Sequence, residues 1–275
     1  MISEFSLFVF TTLAGAAAGG YAVRAVFPLD AQRRRPWLFA CVCLALLAIS
    51  GVALLVHLGR PERVLLAFCN LGAGIAQEGV ATLLFGAAVV ADLVFCAVRG
   101  ASPRWLDAVA GVLGLVLACV MGLAYVANVG TPAWTGAGTV PLFLLGDMLM
   151  GAGLCAVFNA RALEAKAFVW GLAAVAVLAA VTMAVVAAHF AGLGFSAVPF
   201  IVGAIAAIGA AAIALIAARG GKAWEPWALC RLRRRGRGGC PVGVLRRSGA
   251  VNGCVQARCW ETSAALCAFL ARSRV

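Results

Sequence analysis

The chain has 275 residues, of which 64% are hydrophobic and 12% charged, and its mean hydropathy is +1.04. No soluble globular domain carries that much apolar surface, so that class is excluded. The formal net charge of +12 belongs to one end: residues 1–218 hold 10 Lys and Arg against 8 Asp and Glu, whereas residues 219–275 hold 12 against 2.

A membrane span needs about 20 mostly apolar residues. Seven runs qualify: Phe5–Val26, Trp37–Val56, Val80–Val98, Ala108–Val126, Val140–Phe158, Ala167–Ala188 and Phe195–Ala218. Backbone polar groups in lipid must be satisfied within the segment, which makes these runs helices. They lack the alternation of barrel strands. The expected fold is all-α, a polytopic transmembrane bundle forming one domain over residues 1–218. The leading residues carry Glu4 and no Lys or Arg, unlike a signal peptide, so the first run is kept as a span. Arg33–Arg35 follow span one, Arg99 and Arg104 flank the next odd loop, and Arg161 and Lys166 the one after. The positive-inside rule then puts these loops and the tail in the cytoplasm. The N-terminus, the stretch after His57 and the loops 127–139 and 189–194 lie outside.

In chain order, span one holds Gly15 and Gly19 at a spacing that lets helices approach closely. Arg24, near its inner end, is expected to snorkel to the interface. Span two ends at His57-Leu58-Gly59-Arg60-Pro61-Glu62-Arg63. This is a tight exit from the membrane with a titratable ring at the boundary and cations beside it. The connection 57–79 is long for a compact bundle, and loops of that length are often functional. It ends in Gln77-Glu78. Asp92 lies in span three. Tyr125 and Trp134 suit an interfacial belt. Asp147 sits seven residues beyond Val140, about 10 Å into span five at 1.5 Å per residue. His189 ends span six. Cys41, Cys43, Cys69, Cys96, Cys119 and Cys155 read as small apolar packers.

Residues 219–275 change character abruptly. They carry five of the 11 cysteines in no metal-binding spacing and no apolar run of membrane length. The favoured expectation is a shifted reading frame of a GC-rich gene, standing where a further apolar helix would be. An uninterrupted frame at the locus would refute it. The rival is a basic cytoplasmic tail binding anionic lipid or nucleic acid. On the favoured expectation there is no nucleic-acid partner.

The motif His57-Leu58-Gly59-x-Pro61-x-Arg63, then Ile75-Ala76-Gln77-Glu78, then Thr131-Pro132-x-Trp134 with Thr139 and Phe143, resembles the DmsC family over about residues 1–218. These are the membrane-anchor subunits of dimethyl sulfoxide reductase-type complexes. The resemblance implies an eighth span that this chain lacks. It also implies an anchor in the cytoplasmic membrane for an iron–sulfur subunit and a molybdopterin catalytic subunit. Such an anchor oxidises menaquinol near the outer face and passes the electrons on. The family's quinol-site histidine falls on His57 and its acidic residue on Glu78.

Quinol oxidation needs a pocket at an apolar–polar boundary, a hydrogen-bond partner for the hydroxyl and an exit for two protons. His57 suits the partner role, since an imidazole exchanges protons near neutral pH. Glu78 could relay a proton outward. Arg60 and Arg63 could stabilise a quinol anion or dock the extrinsic subunit. Gln77 and Asp147 complete the expected quinol contacts. Plainer readings stand beside these: His57 as a helix-end ring, Glu78 as a first-turn carboxylate favoured by the helix dipole, and Asp92 and Asp147 bonded to a neighbouring hydroxyl. Neither haem nor metal is expected on this chain, because two histidines at loop edges are a poor ligand set. The alternative function is a secondary transporter of a small solute, although such proteins often show internal repeats and none is evident here. A weaker alternative is a scaffold whose quinol site is lost with the missing helix.

Overall fold

The computed structural model describes residues 2–28, 36–57, 68–70, 72–127, 132–158, 162 and 165–219, with side chains except at 2–4, 57 and 217–219. The tail expectations therefore lie outside the described residues. Among the described residues seven helices are present: α1 Ile2–Val26, α2 Leu38–His57, α3 Gly74–Arg99, α4 Arg104–Ala127, α5 Thr139–Phe158, α6 Lys166–Gly192 and α7 Val198–Arg219, with a short 3-10 turn at Pro132–Trp134. No strand occurs among the described residues. All seven helices are long and apolar enough to cross a membrane, so the chain is a multi-pass membrane protein. Each expected span is found. Most helices run past the apolar runs where polar residues still continue the backbone ladder, while α7 starts at Val198, three residues after the expected Phe195. The largest extension starts α3 at Gly74, inside the expected 57–79 connection, and makes Gln77 and Glu78 helical.

α1 is the centre of the bundle. Of its span residues, 67% are buried, against 22–39% in the other six. It packs on α2, α4 and α5 together, while α7 lies at the edge against α6. α7 turns Ile201, Ile205, Ile208 and Ile213 outward, all at least half exposed. That is the expected lipid face.

The small residues of α1 make its central position possible. A Cβ on Gly15 would fall on the Asp147 carboxyl, and one on Gly19 on the Asp147 carbonyl. On α5, a Cβ at Gly151 would strike the Gly19–Gly20 backbone. At Gly19 and Gly151 the two helix backbones therefore touch with no side chain between them, whereas at Gly15 the Asp147 carboxyl fills the space. Gly151→Val must push them apart, since backbone cannot swing aside as a side chain can. Overpacking of this kind costs about 1–3 kcal/mol or more. The expected result is a lower melting temperature in detergent; an unchanged one would mean that the helices are not in this contact.

Two helix ends are fixed by left-handed glycines. Gly100, at φ 75°, closes α3 with its N–H on the Cys96 carbonyl. Gly194, at φ 81°, closes α6. Its N–H bonds the Ala191 carbonyl at 3.0 Å, and the Phe195 N–H bonds that of Phe190 at 2.9 Å. This pairing satisfies the last carbonyls and sets the Phe195 ring against Phe190, with centroids 6.2 Å apart.

Candidate functional site

The expected site residues converge only in part. A turn built on Asn70, whose Oδ1 accepts from the Gly72 N–H at 3.2 Å, leads the chain into α3. Residues 77 and 78 then point about 100° apart, as neighbours on a helix must. Glu78 turns inward and is 4% exposed; Gln77 is exposed. The Phe68 ring covers the next position, closing on Gly79 where a Cβ would meet it at 3.1 Å. The Tyr125 phenol, at the outer end of α4, lies within electrostatic reach of the Glu78 carboxyl and beside the Thr11 hydroxyl of α1. A carboxyl, a phenol and a hydroxyl thus gather at the end of the bundle assigned to the outside.

Asp147 belongs one helical turn deeper. It is 4% exposed and presses on Gly15, which follows Thr11 by four residues on the same face of α1. Its Oδ2 is buried without a hydrogen-bond partner among the described residues. His57 is the last residue of α2, which packs against α3, and its side chain lies outside the description. Arg60 and Arg63 also lie outside the described residues.

The aromatic residues form a hub as well as a belt. Trp134 stands 5.4 Å from Tyr125, 5.1 Å from Phe190 and 6.0 Å from Phe200 by ring centroids. Tyr125 also meets Phe143 at 4.9 Å. Pro132–Trp134 is pinned under α5 because the Thr139 hydroxyl donates to the Trp134 carbonyl at 2.7 Å. The hub joins α4, α5, α6 and α7 at the outer end. Beside it, the loop entering α5 and the last turns of α6 enclose a cavity of about 90 Å³ lined by Ala133, Gly136, Gly138, Val185, Val186 and His189, among others. No sign of this cavity is legible in the sequence, where His189 reads as a boundary residue.

The opposite end of the bundle corrects the reading of Arg24. It does not snorkel: it is 4% exposed and turned into the bundle. Its guanidinium holds Asp92 of α3 as a fork, Nη1 to Oδ2 at 2.6 Å and Nη2 to Oδ1 at 3.0 Å. Nη2 also lies 2.8 Å from Oδ1 of Asp107 on α4, an ion pair without hydrogen-bond alignment. The Tyr21 hydroxyl donates to Asp92 Oδ2 at 2.6 Å. Asp92 does have the hydroxyl partner that the plainer reading foresaw, with a guanidinium added to it. The cluster ties α1, α3 and α4 together near the end of the bundle assigned to the cytoplasm.

The family model of the DMSO reductase anchor subunit (DmsC) matches residues 1–213. Comparisons with curated proteins and with solved structures give no match.

Proposed function

The chain belongs to the DmsC family, the membrane anchors of dimethyl sulfoxide reductase-type complexes, and on that premise we propose that it oxidises menaquinol at the outer boundary of the cytoplasmic membrane. The electrons pass to an iron–sulfur subunit and from there to a molybdopterin catalytic subunit. Family membership replaces the transporter alternative.

The observation that carries the proposal is the buried Glu78 carboxyl, grouped with Tyr125 and Thr11 at the apolar–polar boundary. Ionisable groups at membrane depth are costly and mark functional sites. In the proposed step a quinol gives up two electrons and two protons and leaves as quinone. Glu78 and His57, at the neighbouring helix end, take the protons and return them to the outside. The electrons go to the iron–sulfur partner. Tyr125 orients the headgroup, and Gln77 offers its amide from the exposed side of α3. Arg60 and Arg63 offset the negative charge that develops as the first proton leaves. Asp147, one turn deeper, holds a proton behind the pocket.

Gentle extraction of the tagged chain from its native membrane tests the reading. The expected result is recovery with an iron–sulfur protein and a molybdenum-bearing subunit; the chain alone, free of iron and molybdenum, would overturn it. In the recovered complex, His57→Ala should weaken binding of a short-chain naphthoquinol analogue about tenfold, the loss of roughly one hydrogen bond to a charged or strongly polar partner. Unchanged binding would remove His57 from the site.

A further inference from the structure

The cavity beside His189 has no role in that scheme. Its chemistry is uneven in an informative way. Most of its wall is apolar or bare of side chains: Ala133, Val185 and Val186, with Gly136 and Gly138. Two polar side chains interrupt it: Thr139, whose hydroxyl already donates to the Trp134 carbonyl, and His189, whose Nε2 is buried and has no hydrogen-bond partner among the described residues. A buried ring nitrogen left unmet is unfavourable, and a ligand oxygen would meet it. A mostly apolar wall with a few convergent polar groups is the usual make-up of a small-molecule site, and here only the imidazole nitrogen is left unmet.

Glycine keeps the space open. A Cβ on Gly136 would meet the His189 ring at 2.9 Å, and one on Gly138 would meet Val186 at 2.7 Å. The loop backbone therefore passes so close to α6 that any side chain at these two positions would have to displace the cavity wall. Val185, on the rim, is 52% exposed on a helix that crosses the membrane, so the cavity adjoins the lipid. Trp134 and Phe190, 5.1 Å apart, stand beside it.

These features together select the ligand. A hydrophilic solute would not be drawn to apolar walls reached from lipid. A lipid-soluble ring bearing an oxygen would be. At about 90 Å³ the cavity is smaller than the roughly 150 Å³ that encloses a benzene ring. It admits the oxygen-bearing edge of one ring and leaves the rest at the mouth, against the aromatic hub.

We propose that this cavity is a second quinone-headgroup pocket, in which His189 Nε2 hydrogen-bonds a ring oxygen. The proposal rests on the quinol reading above. It differs from the Glu78 site in its residues, since neither Glu78, Tyr125 nor Thr11 lines the cavity.

Photolabelling of the intact complex in native membranes with an azido-naphthoquinone, followed by peptide mapping, tests it. Label is expected on the segments 133–139 and 185–190 as well as near Glu78. His189→Phe should cut labelling of those two segments at least tenfold, and His189→Gln, which keeps a hydrogen-bonding group, should retain most of it. Gly136→Val, whose added carbons would crowd the imidazole and take up cavity space, should cut it as His189→Phe does. Unchanged labelling near Glu78 and co-purification of the partner subunits show that the variants are folded. Label confined to the Glu78 region, or label on 133–139 that ignores both His189→Phe and Gly136→Val, overturns the second pocket and leaves the quinol reading standing. Absence of label from both regions overturns the second pocket and the quinol reading together.

Discussion

Arg24→Met should lower the thermal stability of the purified protein by about 3–5 kcal/mol, the usual cost of removing one partner from a buried ion pair. Asp92 is fully buried and Asp107 is 5% exposed, so neither carboxylate can turn to water when the guanidinium is gone. Arg24→Lys should recover only part of the loss, because an ammonium cannot reproduce the fork on both oxygens of Asp92. Adding Asp92→Asn and Asp107→Asn to Arg24→Met should restore most of it, because the stranded charges are then gone. Tryptophan fluorescence followed on heating in detergent reads all four proteins. A loss below about 1 kcal/mol for Arg24→Met would show that the cluster does not hold α1, α3 and α4 together.

Glu78→Gln should slow menaquinol-driven turnover of the complex about a hundredfold, the lower range of what a positioned acid–base group contributes. The amide keeps the size of the carboxyl and cannot take the proton. Turnover driven by a reduced viologen, which feeds the iron–sulfur subunit directly, should not change, and the subunits should still co-purify. This contrast separates a chemical role from a structural one. Menaquinol turnover within about twofold of the parent would exclude Glu78 as the proton acceptor.

The spans were legible because lipid imposes a length and a composition that any reader of the chain can measure. Helix ends were less so: hydropathy stops at Val80, while the backbone ladder begins at Gly74 and continues through Gln77 and Glu78. Gly15 and Gly19 announced a close approach, but small residues do not name what approaches, and Asp147 became their partner only in three dimensions. Arg24 shows the same limit more sharply. An arginine two residues from the end of an apolar run can reach for headgroups or fold inward, and the choice was made by Asp92 and Asp107 on other helices. His189 looked like a boundary residue for a similar reason. Its surroundings come from Gly136 and Gly138, which the sequence shows only as a glycine-containing loop. Glu78 was found by motif and Tyr125 by depth; that they meet depends on the packing of α3 beside α4.

The pairing of Arg24 also has a consequence in time. Asp92 lies 68 residues further along the chain, and Asp107 later still. During synthesis the first helix reaches the membrane as a lone cation, at a moment when the bilayer disfavours it by up to about 2.5–3.5 kcal/mol. It cannot settle into its final position until the third and fourth helices have been delivered. The order of insertion is thus written into the protein: the helix made first is the last to be secured, and a nascent chain halted before Asp107 would present an incomplete charge cluster to the membrane's quality control.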